Sequence, residues 1–434
     1  MQKQINDTIQ FIQLFTRHYQ EIGTLFPTSS YAGRAMADEL ARRRGQNRRI
    51  LEVGSGTGAM TVEIAPQLRA GDELHLCEIN SELVEVLRQR IETEPVFAGV
   101  RDQIFIHEMS VLDVKADRPF DVIISSLPFN VLPFELTQEI IAYYRRVLAP
   151  DGTFTYIEYI GGRTLKSIFT PSAEADEVQR FMGALQTEHS FRREVVFMNL
   201  PPAWIHHLRL SAPEATDAHK RHVAPREQIG WGAFRFDRDA LFFVLGILGL
   251  SSLLRRRWLA LLAVPVALFF RDPKREIVAD DTAVLAGADG KVMAIEKMHD
   301  SRFGEGEWCR IVVFLSIFDV HVNRAPVAGK VVDRLSQGGG FAVASSAEAD
   351  HNVAEFTVIE TVHGRCVVAQ RVGAVARRLV NRAPVDSLLA QGEKFGLMRF
   401  GSRMDIYLPA DGVEPLVTVG QTVQGGITPI ARWK

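Results

Sequence analysis

The chain predicts an α/β domain, then an apolar helical hairpin, then a mostly β domain, and three observations carry that fold class. In RRILEVGSGTGAMTVEIA, residues 48 to 65, an apolar run ends in closely spaced glycines and passes into an amphipathic helix, the strand, turn and helix that open a doubly wound sheet. Residues 240 to 270 are apolar almost throughout. Beyond them the pattern changes to short alternating runs such as GKVMAIEKM, RIVVFLS, GKVVDRL, EFTVIETV and RCVVAQRV, punctuated by glycine and proline.

A chain of 434 residues can hold two or three domains, each with its own core. The net charge of -2 argues against a surface coated with phosphate-binding cations, so nucleic acid is not an expected partner. Cys77, Cys309 and Cys366 lie far apart, with neither metal-ligand spacing nor a disulfide framework. A reducing cytosol and no metal site are expected. The first residues, MQKQINDTIQ, lack the apolar core of a secretory signal.

Taken in order, Ile5, Ile9, Ile12, Phe15, Tyr19 and Ile22 recur at helical spacing and predict an amphipathic helix. Ser29 and Ser30 offer an N-cap for a second helix through Arg44, which ends in the cationic run Arg42 to Arg49. Gly54, Gly56 and Gly58 let the backbone turn sharply and approach a ligand, while the following helix N-terminus supplies unpaired amides. A second strand, ELHLCEIN, places the Glu78 carboxylate about twenty residues on, where ribose hydroxyls would need an acceptor. Residues 211 to 230 have no clear period and read as a linker between domains 1 to 210 and 231 to 434.

Each half of 240 to 270 is too short, at about 1.5 Å per residue, to cross a hydrocarbon core of about 30 Å. With Arg255, Arg256 and Arg257 between the halves, the stretch predicts a membrane-associated hairpin that dips into one leaflet or crosses marginally, anchored by Arg271 and Lys274. The same pattern would also suit a buried helix pair. With this as the membrane element, the remainder is expected on the cytoplasmic side of the cell membrane, as a peripheral or monotopic protein.

The LEVGSGTG turn together with the acidic end of the second strand resembles the class I S-adenosylmethionine-dependent methyltransferases, and makes the first domain Rossmann-like. The resemblance implies that Glu52, Gly54, Gly56, Gly58 and Glu78 hold S-adenosylmethionine, and that the SVLDV stretch at Ser110 borders the adenine. FDVIISSLPFNVLP, residues 120 to 133, ends a strand in Ser126-Leu127-Pro128-Phe129, similar to the Asn-Leu-Pro-Tyr motif that amino-methylating members place beside the acceptor nitrogen. Serine in place of the amide weakens a nucleobase assignment. SLPFN and the upstream FPTSSYAGRAMA look more like the soluble bacterial phospholipid N-methyltransferases. The resemblance leaves the base that takes the amine proton open, with Tyr31 and His107 as candidates.

FFRDPKR, GADGKV, FLSIFDVHVNRAPVAGKV and EKFGLMRFGSRMDIYLP follow one another in the order found in short-form phosphatidylserine decarboxylase proenzymes, which the chain resembles from about 228 to 434. That resemblance implies self-cleavage between Gly401 and Ser402. The serine hydroxyl attacks the preceding carbonyl, the ester eliminates, and a pyruvoyl group remains on Ser402 to form a Schiff base with the substrate amine. It also implies roles for His321, Asp289 and Asp319, the last read as sharing a strand face with His321. Longer decarboxylases have a second histidine three positions after the first and a Gly-Ser-Thr site; here Arg324 and Gly-Ser-Arg stand instead. ADHNVAEF, residues 349 to 356, replaces the usual Asn-Glu-Arg segment.

Together the resemblances imply a bifunctional phospholipid enzyme that makes phosphatidylethanolamine from phosphatidylserine and methylates it towards phosphatidylcholine. The alternative is a decarboxylase fused to a methyltransferase of a non-lipid amine or nucleic acid. Homo-oligomerisation is left open.

Overall fold

A computed structural model describes residues 28–43, 45–129, 132–160, 173–221, 228–231, 234–237, 239–344, 346–374, 378–399 and 402–434. The helix expected over 5 to 22 and part of the 211 to 230 linker lie outside the described residues. The chain divides into two compact units, Met1–Pro213 and Glu214–Lys434.

In the first unit, α1 (Ser30–Met36) starts at Ser29, whose side chain accepts from the Ala32 amide, and α2 (Asp38–Arg42) follows after a break at Ala37. Then come β1 (Arg49–Val53), α3 (Thr61–Ile64), β2 (Glu73–Glu78), α4 (Ser81–Thr93), β3 (Ile104–Glu108), β4 (Phe120–Ser125), α5 (Phe134–Val147), β5 (Leu148–Tyr159), α6 (Ala173–His189), β6 (Ser190–Val196) and β7 (Ala203–Leu208). They form one sheet in the order β3-β2-β1-β4-β5-β7-β6. The first five strands in that order are parallel, and β7 runs antiparallel to both its neighbours. Alternate residues feed opposite faces: Ile50, Leu74, Val122 and Ile124 join one core with α1 and α4, while Leu51, Ile123 and Phe154 join another with α5 and α6. The strand order reverses between β1 and β4, so a crevice opens at their carboxyl ends, where ligands bind in such sheets.

The second unit is built on an eight-stranded antiparallel sheet. Its order is Leu388–Leu389, Gly329–Gln337, Ala354–Thr361, Gly364–Val372, Ser402–Pro409, Glu307–Leu315, Gly290–His299 and Thr422–Val423. Val322–Arg324, Lys394–Arg399 and Arg378–Asn381 make a second, three-stranded sheet. Val313, Leu315, Ile359, Val368, Met404 and Ile406 fill the main core.

The expected membrane-associated hairpin is corrected. Among the described residues no helix is long and apolar enough to cross a membrane. The first half is a helix of 15 residues, Asp239–Leu253, stopped where Arg255 takes a left-handed backbone (φ 52°) and Ser251 caps the turn through the Arg256 carbonyl. The second half splits into a 3-10 turn, Arg257–Leu262, and a seven-residue helix, Ala263–Phe269. Its base belongs to the β unit: Ala240, Phe269 and Phe270 are buried with Val320, Val322 and Leu397.

Candidate active sites in the two units

The glycine turn after β1 does what its sequence requires. Gly54, Gly56 and Gly58 all have positive φ (73°, 55° and 85°), which favours glycine at each position. The Gly54 amide donates back to the Cys77 carbonyl at 2.9 Å, closing the turn over the end of β2. A Cβ on Gly56 would meet nothing within 4 Å, so that side of the turn is open. At the end of β2, Glu78 Oε2 accepts from the Gly56 amide at 2.9 Å, and Oε1 accepts from Ile79 and Asn80 at 2.9 and 3.0 Å. Three of the roughly four acceptor positions of a carboxylate are thereby used. Glu52 is wholly buried and takes the Thr61 hydroxyl at 2.9 Å; burial first, and the nearby Glu78 charge, push its pKa up to about 8. It is therefore protonated at neutral pH and acts as a neutral brace under the turn.

Ser110 caps the short turn Val111–Asp113 through the Leu112 amide. Ser126 follows β4 directly, its amide donating to the Val53 carbonyl at 2.9 Å, which brings the SLPF segment beside the glycine turn. Ser126 Oγ is buried without a hydrogen-bond partner. Pro128 is half-buried, and Phe129 turns inward: it is 3 % exposed and meets Tyr156 edge-on at 5.6 Å. Its ring thus walls the site from the core side. Of the two candidate bases, Tyr31 is exposed, and His107 Nε2 is occupied by His75 Nδ1 at 2.9 Å. An open glycine face, backbone amides and an orphaned hydroxyl at the sheet's carboxyl edge suit a polar nucleoside-like cofactor.

In the second unit, Gly401 lies outside the described residues, as does Phe400. Ser402 begins a central strand, paired with Leu315 on one side and Val372 on the other. His321 is held beside the Lys394–Arg399 strand by its neighbour's pairing, Val322 with Leu397, and by the Met398 amide, which donates to the His321 carbonyl at 3.1 Å. The imidazole is fully buried, with the Phe269 ring 4.2 Å away. Burial pushes its pKa down to about 4, against the smaller upward pull of Asp319. Nδ1 lies 2.9 Å from the Asp319 carbonyl, so the ring proton sits there and Nε2 is the basic nitrogen.

Asp319 differs from expectation. It lies in a turn before the short strand, not on a shared strand face, and its carboxylate accepts from the Ser316 amide at 2.7 Å. Its contact with His321 is through the backbone. Asp289 is clamped by Arg275 in a two-pronged pair at 2.6 and 2.7 Å and accepts from Gly425 N at 2.8 Å. That holds the FFRDPKR segment to the GADGKV turn.

Sequence reading also missed two buried ionic groups. Arg371, Arg403 and Arg310 converge on Asp405 and Asp350: Arg371 Nε reaches Asp405 at 2.7 Å, Arg403 Nε reaches it at 2.6 Å, and Arg310 reaches Asp350 at 2.7 Å. Arg324 and Lys394 share the buried Asp272. On alternating strands such charges look like solvent-facing positions, so no pattern in the sequence marks them.

The chain thus holds a glycine turn on a doubly wound sheet in one unit, and a serine-headed central strand and a buried histidine in the other. Residues 262–431 match the phosphatidylserine decarboxylase family model, and residues 50–152 match a methyltransferase domain model. Over 195 residues the chain is 40 % identical to a phosphatidylserine decarboxylase proenzyme from Carboxydothermus hydrogenoformans, covering 44 % of this chain and 92 % of the relative. A second such proenzyme, from Syntrophotalea carbinolica, is 44 % identical over 164 residues, 37 % of this chain and 76 % of the relative. Among solved structures, an O-methyltransferase from Bacillus cereus in complex with SAH aligns at TM-score 0.34 and 14 % identity, over 47 % of this chain and 90 % of that one. The chain belongs to the phosphatidylserine decarboxylase family through its second unit, and joins it to an S-adenosylmethionine-dependent methyltransferase domain. Its cofactors are accordingly a pyruvoyl group and S-adenosylmethionine.

Proposed function

We propose that the chain decarboxylates phosphatidylserine to phosphatidylethanolamine and methylates that amine towards phosphatidylcholine, at the cytoplasmic face of the cell membrane where both lipids reside. The observation that carries the reading is the pairing itself: a family that releases an ethanolamine lipid is joined to a methyltransferase fold whose SLPF segment sits beside the glycine turn. The product of one half is the substrate of the other.

In the decarboxylase half, domain 231–434, the Ser402 hydroxyl attacks the Gly401 carbonyl, and neutral His321 takes the hydroxyl proton on Nε2. Asp319 fixes the imidazole's tautomer through its carbonyl. Asp289, paired with Arg275, holds the GADGKV turn. The pyruvoyl group supplies a carbonyl that draws electrons from the carbon losing carbon dioxide. In the methyltransferase half, Gly54, Gly56, Gly58, Glu52, Glu78 and Ser110 hold the cofactor, and Ser126, Pro128 and Phe129 bound the acceptor amine. When bound, S-adenosylmethionine supplies an electrophilic methyl group; the protein's part is alignment and removal of a proton.

The test is a lipid extract from cells that express the chain and are fed labelled serine. Label in mono-, di- and trimethylated ethanolamine lipids is the expected outcome. Label that stops in phosphatidylethanolamine, with a methylated soluble amine elsewhere, would show that the methyltransferase half serves a non-lipid acceptor.

A further inference from the structure

The exposed apolar side chains of the first unit gather at one corner. Among the described residues its three most exposed large hydrophobics are Phe197 (73 %), Met198 (67 %) and Leu200 (63 %), all in the turn between β6 and β7. Tyr31 and Ile160 are exposed too, and both belong to segments hydrogen-bonded to that turn. The Ser29 amide donates to Asn199 Oδ1 at 2.9 Å, and the Ile160 amide to the Pro202 carbonyl at 2.7 Å. The connection between two strands is ordinarily polar. Here the one polar side chain of residues 197 to 202, Asn199, is the one that turns in. It is buried, and its Nδ2 donates to the Pro201 carbonyl at 2.7 Å, so the apolar residues on either side of it are held outward.

The corner lies on the same edge of the sheet as the cofactor turn. β5 is parallel to β4 and ends at Tyr159, opposite Ala203 at the start of β7. The turn therefore stands at the carboxyl edge, with the glycine turn, Glu78 and Ser126. Its size decides between occupants. Five exposed side chains present roughly 500 Å², short of the about 800 Å² that each partner gives to a standard protein interface. Binding to a lipid surface has no such threshold, because it scales with whatever apolar area enters the boundary between headgroups and acyl chains. Residues 197 to 202 carry no charge that would have to leave water there. Just behind them Arg193 lies over the Trp204 ring at 4.4 Å, a cation and an indole of the kind that sit at headgroup level.

We propose that the turn 197 to 200 is a lipid-docking surface, which seats the carboxyl edge of the methyltransferase sheet on a phospholipid bilayer so that the acceptor amine enters from the headgroup layer. The inference deepens the function proposed above and rests on it for the lipid nature of the acceptor. It is distinct from the apolar stretch 240 to 270, which belongs to the other unit.

Cys77, Cys309 and Cys366 are all buried, so a single Met198→Cys in the full chain takes a thiol-reactive fluorophore selectively. With vesicles of phosphatidylethanolamine and an anionic phospholipid, its emission should shift to the blue, and spin-labelled lipid in the vesicles should quench it. The same label at Val86→Cys, on an exposed position of α4, should do neither. Phe197→Ser combined with Leu200→Ser should raise KM for those vesicles about tenfold or more, the effect of keeping one large side chain in water. Its kcat, S-adenosylmethionine binding and carbon dioxide release should stay at wild-type values, a split that a folding defect would not produce. A label at 198 that vesicles neither shift nor quench, or a double variant with wild-type KM, overturns the proposal. So does self-association of the wild type that the double variant abolishes, because the occupant is then a second copy. If the label is quenched but phosphatidylethanolamine is not methylated, the lipid substrate falls and the docking surface stands. Methylation of the vesicles without quenching keeps the substrate and removes the surface.

Discussion

Replacing Phe269 or His321 tests whether the decarboxylase unit stores a neutral imidazole. A histidine that titrates at about 4 when folded and 6.5 when unfolded binds its proton more readily in the unfolded chain. Stability is therefore unaffected above pH 6.5, and about 3 kcal/mol is lost as pH falls from 6.5 to 4. His321→Phe removes the titration while keeping an apolar ring against Phe269. Placed in a Ser402→Ala background, so that both proteins are single chains, it should gain on its parent by about 3 kcal/mol between pH 7 and 4. Hydrogen exchange at Val313 and Ile406, both wholly buried in the main core, reports on this unit within the full chain. Phe269→Ala in otherwise wild-type protein should admit water to the ring and return the imidazole towards 6.5. The low-pH limb of chain splitting should then move up from near 4. Parallel stability curves for parent and His321→Phe would refute the argument, because they would mean that His321 is charged in the folded protein.

Wild-type protein should appear by mass as two chains, 1–401 and 402–434, the smaller with a blocked end; Ser402→Ala should stay whole, release no carbon dioxide, and still methylate added phosphatidylethanolamine. Gly56→Val adds a Cβ that meets no atom within 4 Å but must hold φ 55°, at about 1–2 kcal/mol, so the unit should fold while calorimetry finds no S-adenosylmethionine binding and carbon dioxide release is unchanged. Asp272→Asn removes the buried carboxylate that Arg324 and Lys394 share and should cost about 3–5 kcal/mol, read by denaturant unfolding of the second unit. Glu52 holds its proton to about pH 8 when folded against 4.5 unfolded, a contribution present below 4.5 and lost as pH rises towards 8. Glu52→Gln should therefore be more stable than wild type at pH 8, and the gap should close towards pH 4.5.

Local chemistry made part of this structure legible. The glycine turn, the Glu78 carboxylate and the Ser29 cap each follow from backbone freedom or donor satisfaction within a few residues, and each stands where the sequence put it. The hairpin shows where that reasoning fails. The sequence marked two apolar halves joined at Arg255 to Arg257, where the chain does turn, but the break of the second half into a short 3-10 turn and a seven-residue helix is a backbone event that composition does not encode, as is the recruitment of Phe269 to His321. Nor does the sequence distinguish the two adjacent histidines of β7: only the register sends His206 to Glu158 and leaves its neighbour His207 bonded to Thr155 and Glu194.

The two departures from the longer decarboxylases have a common physical account. Arg324 stands where a second histidine would be, and Arg403 where the threonine after the serine would be; each puts a permanent charge into a position 2 or 3 % exposed. A buried guanidinium alone would be costly, so each must bring a carboxylate with it. Arg324 has Asp272 of the FFRDPKR segment, which ties that segment to the strand following His321. Arg403 has Asp405 on its own strand and Asp350 of the ADHNVAEF stretch, which stands where the Asn-Glu-Arg segment is usual. The unusual residues are thus coupled: Asp350 partners an unusual arginine, and a change at one end leaves Asp350 with Arg310 alone, or Arg403 with Asp405 alone. Restoring threonine at position 403 alone should leave Asp405 with Arg371 and weaken the hold on Asp350, whereas histidine at 324 alone would leave Asp272 with Lys394. Compensation in pairs, not tolerance of single changes, is what lets this chain keep the family's serine and first histidine while altering the residues beside them.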